Sequence, residues 1–158
     1  MYAFKREGEL QVGRESMIQM VREKIQDIPG DFQDKKEVFC LDCVIAERKA
    51  FLSKQKLSYT ARFRVDDVAK EVTFTEMLKE VKSGLGTGGA DDISPGFSFK
   101  KTSFSSGPGG LEGIVDQQSS LFGKKYNYTF DYKKVRSAVK EAAEAEGYSF
   151  TYKIWGKL

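Results

Sequence analysis

Apolar and polar side chains alternate along residues 57–65. A period of two is typical of a β-strand with one buried face and one exposed face. The preceding stretch, residues 38–46, is apolar at almost every position and predicts a strand that is covered on both faces. A short polar turn follows each of these strands, and the second turn leads into Val72 and Phe74. Residues 38–74 therefore predict a three-stranded antiparallel meander.

Two segments have the apolar spacing of three and four residues that indicates a helix. The first covers residues 18–28 and ends before Pro29. The second covers residues 132–146, and Gly147 follows it as a C-terminal stop. Residues 1–13, in front of the first helix, predict an arm or a small hairpin.

Alternation returns on either side of the second helix, at residues 126–130 and 148–154. Strand, helix and strand with short connections predict a crossover between parallel strands. Residues 75–83 fit a capped helix and a continued strand equally well. The chain predicts an α+β fold, in which a largely antiparallel sheet of the meander plus two to three further strands is covered by an N-terminal and a C-terminal helix. Residues 14–158 are expected to form one domain.

Composition limits the class of protein. The chain has 158 residues, of which 40% are hydrophobic and 31% are charged, so it can bury a core of its own. A net charge of +3 is too small to indicate nucleic acid or a membrane by itself. No apolar run is long enough for a transmembrane helix, and the first residues lack a signal peptide. We expect a cytoplasmic protein with no membrane partner.

Glycine is concentrated in two stretches, residues 83–96 and 105–112, which predict long loops. Four glycines lie close together in the first stretch: Gly84, Gly86, Gly88 and Gly89. Their segment matches the G-x-G-x-x-G of dinucleotide-binding turns, but Asp91 and Asp92 follow it where a helix should begin. We therefore expect no cofactor. The loops are expected to be mobile and to carry a binding role, and plain disorder without a function is the alternative.

Cysteine and histidine content restricts the chemistry. Cys40 and Cys43 are the two cysteines, and the chain has no histidine. A zinc site would need further ligands, and Ser-His-Asp or Cys-His catalysis would need a histidine. We predict no metal site and no catalytic residues, with both cysteines buried as free thiols.

Asp42 interrupts the apolar run of residues 38–46. A covered carboxylate would need a partner, and Arg62 or Arg64 on the next strand can supply one. A structural ion pair is the favoured interpretation, and a functional acid is the alternative.

Basic and aromatic residues are interleaved in two places. They comprise Lys100, Lys101, Lys124, Lys125, Tyr126 and Tyr128. Such a pattern can bind single-stranded nucleic acid through phosphate contacts and base stacking. A core face flanked by solvated lysines is the favoured interpretation.

We therefore predict a non-catalytic binding or interaction protein whose ligand is an unidentified small molecule or protein. Its aromatic-rich sheet face and glycine-rich loops are the expected binding elements. A single-stranded nucleic-acid-binding protein is the first alternative, and an enzyme that uses a buried carboxylate is the second.

Overall fold

A computed structural model describes residues 2–35, 37–51, 53–84, 119–128, 130–153 and 158. Its elements follow in this order: α1 (Tyr2–Lys24), β1 (Asp31–Lys35), β2 (Val38–Ala50), β3 (Ser53–Asp66) and β4 (Glu71–Gly84). The helix α2 covers residues 119–126 of the described chain and is followed by α3 (Tyr132–Ala145) and β5 (Ser149–Tyr152). The α+β class predicted from the sequence is confirmed.

The sheet has five strands in the order β1-β2-β3-β4-β5. The first four strands are antiparallel neighbours, and the meander predicted over residues 38–74 is formed by β2, β3 and β4. β5 lies parallel to β4, with Val72 opposite Phe150 and Phe74 opposite Tyr152. The predicted parallel crossover is present. Its first strand is β4, however, and not the segment 126–130.

One face of the sheet forms the core against α1 and α3. Alternate residues of β3, from Leu57 to Val65, are buried on this face together with Phe74 and Leu78 of β4. The helices contribute their apolar sides, since Met17 and Val21 of α1 and Val135, Val139 and Ala142 of α3 are also buried. The aromatic-rich sheet face predicted to bind a ligand is therefore packed core in the described chain.

The structure corrects one predicted element and decides one alternative that the sequence left open. Residues 2–13 belong to α1, where the sequence predicted an arm or a hairpin, because Glu7-Gly8-Glu9 was interpreted as a turn. Residues 75–83 could have been a capped helix or a continued strand. They are strand, since β4 pairs with β3 continuously from Glu71 to Gly84.

The strand predicted at residues 126–130 is wrong. Tyr126 is the last residue of α2, and Asn127 has a φ of +51°, a left-handed conformation that asparagine tolerates. The Asn127 amide donates to the carbonyl of Gly123 at 2.8 Å. The alternating aromatics have separate partners, because Tyr126 packs on Phe122 and Phe130 packs on Tyr59.

Candidate functional site

A cleft of about 590 Å³ opens beside β2, outside the packed core. Its walls come from the turn after α1, from one stretch of β2, from the connection between α2 and α3, and from the first turn of α3. The lining residues are Asp27, Ile28, Pro29, Val44, Ile45, Ala46, Glu47, Tyr126, Asn127, Tyr128, Phe130, Asp131 and Lys134.

The cleft exists because β1 is short. β1 pairs with β2 only as far as Asp31 opposite Asp42, whereas β2 continues to Ala50. Gly30 holds the chain close to β2 at this point: a Cβ added there would overlap the Cys43 sulfur and lie 2.9 Å from the Asp42 carbonyl oxygen. Beyond it, the ladder between β2 and β3 shifts register between Val44 and Ala46. On the edge of β2 that β1 occupies, none of the described strands pairs with the residues from Cys43 to Ala50.

Three aromatic residues form the wall opposite β2. The Tyr126 hydroxyl donates to Oε1 of Glu80, and burial together with this carboxylate raises the pKa of Tyr126 above its ordinary value. The Tyr128 hydroxyl donates to the carbonyl of Ser119 at 2.8 Å. The ring of Phe130 lies 5.4 Å from that of Tyr59 in the core. These contacts hold the wall in place before any ligand arrives.

Carboxylates outnumber ammonium groups in the lining. The Lys134 ammonium donates to both carboxylate oxygens of Asp27 at 2.6 Å, and this hydrogen bond lowers the pKa of Asp27. Glu47 has Lys54 as an ion-pair partner at 3.7 Å. Asp131 precedes α3 as its N-cap residue, and its exposed side chain makes no capping hydrogen bond. The lining therefore holds three carboxylates and one ammonium group, and Asp27 and Glu47 already have lysine partners.

A buried carboxylate is present, but it belongs to Glu76 of β4. Nε of Arg136 donates to Oε1 of Glu76 at 2.7 Å, Nη2 of Arg136 donates to the same oxygen, and the Tyr59 hydroxyl donates to Oε2 at 2.6 Å. The Tyr152 hydroxyl is 3.2 Å from Oε1. Burial raises the pKa of Glu76, while Arg136 and the two tyrosines oppose the rise. Because Glu76 is surrounded by donors and does not line the cleft, it acts as a core-organising group.

Asp42, in contrast, is exposed on the outer face of the sheet. It accepts hydrogen bonds from the Thr60 hydroxyl at 2.7 Å and from the Cys40 thiol at 3.4 Å. Arg62 and Arg64 are exposed on the same outer face of β3, opposite Cys40 and Val38. The sequence analysis placed Asp42 on a covered face of the sheet, whereas its carboxylate is exposed in the structure. Cys40 and Cys43 are both free and buried, as predicted.

The remaining predicted site residues are distributed unevenly. Tyr126 and Tyr128 line the cleft, Lys125 contacts Glu80 at 2.5 Å, and Lys124 is exposed on α2. Gly84 is the last residue of β4. Outside the described residues lie Lys100, Lys101, Gly86, Gly88, Gly89, the stretch 105–112 and all of the stretch 83–96 after Gly84.

Sequence reasoning missed the acidic residues of the cleft and the buried pair. Glu76 alternates with Phe74 and Leu78, as a residue on the inner face of a strand does. Arg136 lies four residues after Tyr132 and three before Val139, inside the apolar stripe of α3. These two spacings could have identified the buried pair. No comparable spacing identifies Asp27, Glu47 and Asp131 as neighbours, because they come from three separate parts of the chain.

No protein-family model, curated protein or solved structure matches this chain. In the part of the chain that the structure describes, no group of three or more potential ligands could hold a metal ion, and no helix is long and apolar enough to cross a membrane. Function is therefore inferred from the chemistry of the residues alone.

Proposed function

We propose that this protein is a non-catalytic binding protein and that its ligand occupies the cleft beside β2. The observation that carries the proposal is the combination of a preformed aromatic wall with an excess of carboxylates in one cavity of about 590 Å³. A volume of this size is typical of small-molecule sites. A short segment of a partner protein would fit it equally well.

The lining favours a ligand with an apolar body and a cationic group. Asp27 is matched by Lys134 and Glu47 by Lys54, so Asp131 supplies the negative charge that these two ion pairs leave over. Aromatic rings attract cations through their negative faces. The Lys125 ammonium already lies 5.5 Å from the centre of the Tyr126 ring, so Tyr128 and Phe130 are the remaining rings of the wall. A free organic amine and a lysine or arginine side chain of a partner share this chemistry.

Binding is favoured over catalysis by the residue types present. The described lining contains no serine, threonine, cysteine or histidine, so it offers no nucleophile–base pair of the Ser-His or Cys-His type. The buried carboxylate of Glu76 is engaged by Arg136 and Tyr59, away from the cleft.

Two matched small molecules test the proposal. 2-Phenylethylammonium and 3-phenylpropionate have the same aromatic body and opposite charge. We expect the ammonium compound to raise the melting temperature and to bind with a Kd on the order of millimolar, as is usual for a fragment of this size. The carboxylate compound should have no effect. Equal binding of both compounds would contradict the assignment of ligand charge, and binding of neither would contradict the site.

Two substitutions test whether the ammonium compound binds in the cleft. Asp131→Asn should weaken binding of the ammonium compound, whereas Glu144→Gln, an equally conservative change at the exposed far end of α3, should leave it unchanged. A capped tripeptide Phe-Lys-Phe serves as the second arm. Tighter binding of the peptide than of the amine would identify a partner segment as the natural ligand, and the reverse would identify a small amine.

A further inference from the structure

The two ends of β3 differ in charge. This strand has 14 residues and spans about 45 Å at about 3.3 Å per residue. Phe51 lies in the turn before it and Val68 in the turn after it, and each is 93% exposed. A single exposed apolar residue is unremarkable in itself, so the surroundings of each residue decide its meaning.

Cationic side chains are concentrated at the end of the sheet that carries Phe51. We define the basic end as residues 47–56, 80–84 and 124–125. Seven cationic side chains belong to it: Arg48, Lys49, Lys54, Lys56, Lys82, Lys124 and Lys125. Only Glu47 and Glu80 are acidic there, so the basic end is more positive than the whole chain with its net charge of +3.

Tertiary contacts bring these residues together. Lys49 lies opposite Lys54 across the β2–β3 ladder, and Gln55 lies between Arg48 and Lys82 on the two neighbouring strands. Nη1 of Arg48 donates to the backbone carbonyl of Lys125 at 3.3 Å, which joins α2 to the sheet. Like charges directly opposite each other destabilise a sheet, so the pairing of Lys49 with Lys54 next to the turn destabilises this end of the hairpin.

At the opposite end the charges are mixed. Asp66 accepts hydrogen bonds from the backbone amides of Val68 and Ala69 at 3.0 and 2.8 Å. Asp67 accepts from the Tyr148 hydroxyl at 2.6 Å and pairs with Arg14 at 3.5 Å. Val68 is thus as exposed as Phe51, but its turn carries two carboxylates and Lys70 and has no excess of cations.

We propose that the basic end attaches the protein to an anionic lipid bilayer, with Phe51 inserted among the headgroups. An aromatic side chain at the apex of a hairpin enters the interfacial layer while cationic groups around it contact anionic lipid. Single-stranded nucleic acid is less well matched, because base stacking uses several aromatic rings and Phe51 is the only exposed aromatic among the described residues of the basic end. The proposal is independent of the cleft.

The strength of attachment follows from the groups involved. Each basic residue near an anionic surface strengthens binding about fivefold, and insertion of an aromatic side chain adds roughly tenfold. The net charge of the whole chain does not indicate a membrane partner. The concentration of positive charge at the end that carries the exposed ring of Phe51 does indicate one.

Vesicle co-sedimentation of the full chain tests the proposal. We expect binding to vesicles that contain about 30% phosphatidylserine in phosphatidylcholine, no binding to pure phosphatidylcholine, and weaker binding at higher salt. Phe51→Ser should weaken binding about tenfold, and the pair Lys49→Glu with Lys54→Glu should weaken it more than tenfold.

Matched controls come from the opposite end and from α3. Val68→Ser removes an equally exposed apolar side chain, and Lys133→Glu with Lys140→Glu makes the same change in net charge on an exposed helix surface. Neither control should alter vesicle binding. The proposal is overturned if phosphatidylserine has no effect, if Phe51→Ser binds like the unaltered chain, or if the two charge-reversed pairs behave alike. Tighter binding to a single-stranded oligonucleotide that is indifferent to Phe51→Ser would also overturn it, in favour of nucleic acid.

Discussion

Arg136 of α3 and Glu76 of β4 form an ion pair inside the core, with Nε of the arginine 2.7 Å from Oε1 of the carboxylate. Glu76 is 1% exposed and Arg136 is 8% exposed. Both residues are therefore desolvated, and each is tolerated only because the other is present. The pair joins the helix to the sheet at one defined position.

Removal of one member of the buried pair should strongly destabilise the protein. Arg136→Met leaves an uncompensated carboxylate in the core and is expected to lower the free energy of unfolding by about 3–5 kcal/mol. Adding Glu76→Gln to this variant should restore part of the loss, because no buried charge then remains. Urea unfolding of the single and double variants measures the coupling. Lys134→Met removes an exposed ion pair two residues earlier on the same helix and should have a far smaller effect. Equal losses for the two single variants would contradict the core role of Arg136.

The contacts of Glu80 predict an acid-dependent part of the stability. Burial alone would raise the pKa of Glu80 above 4.5, but the hydrogen bonds from Lys125 and Tyr126 outweigh burial and lower it. A carboxyl group whose pKa is lower in the folded than in the unfolded state stabilises the fold above its unfolded pKa. This contribution disappears as the pH falls below about 4.5 and through the folded pKa.

Glu80→Gln should therefore be less stable than the unaltered chain at pH 7 and should lose less stability on acidification. Denaturant titrations across the acidic range measure both effects. Glu141→Gln, at an exposed pair with Lys24, is the control and should follow the unaltered chain. If Glu80→Gln and the unaltered chain keep the same stability difference at every pH, the hydrogen bonds of Glu80 do not contribute as described.

The two thiols should be unreactive in the folded protein. Burial raises the pKa of Cys43 to about 11 and also raises the pKa of Cys40. The thiolate is the reactive form, so a disulfide reagent at pH 8 should modify the folded chain slowly and the urea-unfolded chain rapidly at both cysteines. The folded pKa of Cys43 exceeds its ordinary value of 9.0, so the neutral thiol favours the folded state. This contribution to the free energy of unfolding is complete below pH 9.0 and is lost as the pH rises through about 11. Rapid modification of the folded chain would show that β2 opens.

Gly30 should resist substitution for a steric reason. A Cβ at this position would overlap the Cys43 sulfur and approach the Asp42 backbone oxygen, so β1 would have to move away from β2. We expect Gly30→Ala to lower the free energy of unfolding by about 1–3 kcal/mol. At Gly123, in helix α2, the nearest atoms to an added Cβ belong to Tyr128 at 3.8 Å. Gly123→Ala should be neutral or should stabilise the chain by up to about 1 kcal/mol, because alanine favours the helix. Thermal unfolding of both variants decides between these expectations.

Much of the fold could be predicted because it depends on local periodicity. The alternation along β3 identified its buried face, and the spacing of Val135, Val139 and Ala142 identified the buried side of α3. The same reasoning was wrong at residues 126–130. There the aromatics satisfy two unrelated contacts on either side of Asn127, and their spacing imitates a strand.

The candidate site was less accessible to sequence reasoning. Tyr126 and Tyr128 were identified because aromatic residues are conspicuous, and both line the cleft. Asp27, Glu47 and Asp131 come from three separate parts of the chain, and none of them interrupts a pattern. Asp42 did interrupt one, yet it is exposed, because the outer face of β2 is open at that position.

By itself, the sequence determined the α+β class, most of the meander, the buried face of β3 and the buried side of α3, and it predicted that the cysteines are free. These properties follow from the period of the backbone and the transfer of apolar side chains out of water, both of which act over a few neighbouring residues. The tertiary structure alone decided the position of the buried charge, the cleft and the basic end. Each depends on residues that are distant in the chain and adjacent in space, such as Glu76 and Arg136 at a separation of 60 residues, and no local pattern encodes which of them will meet.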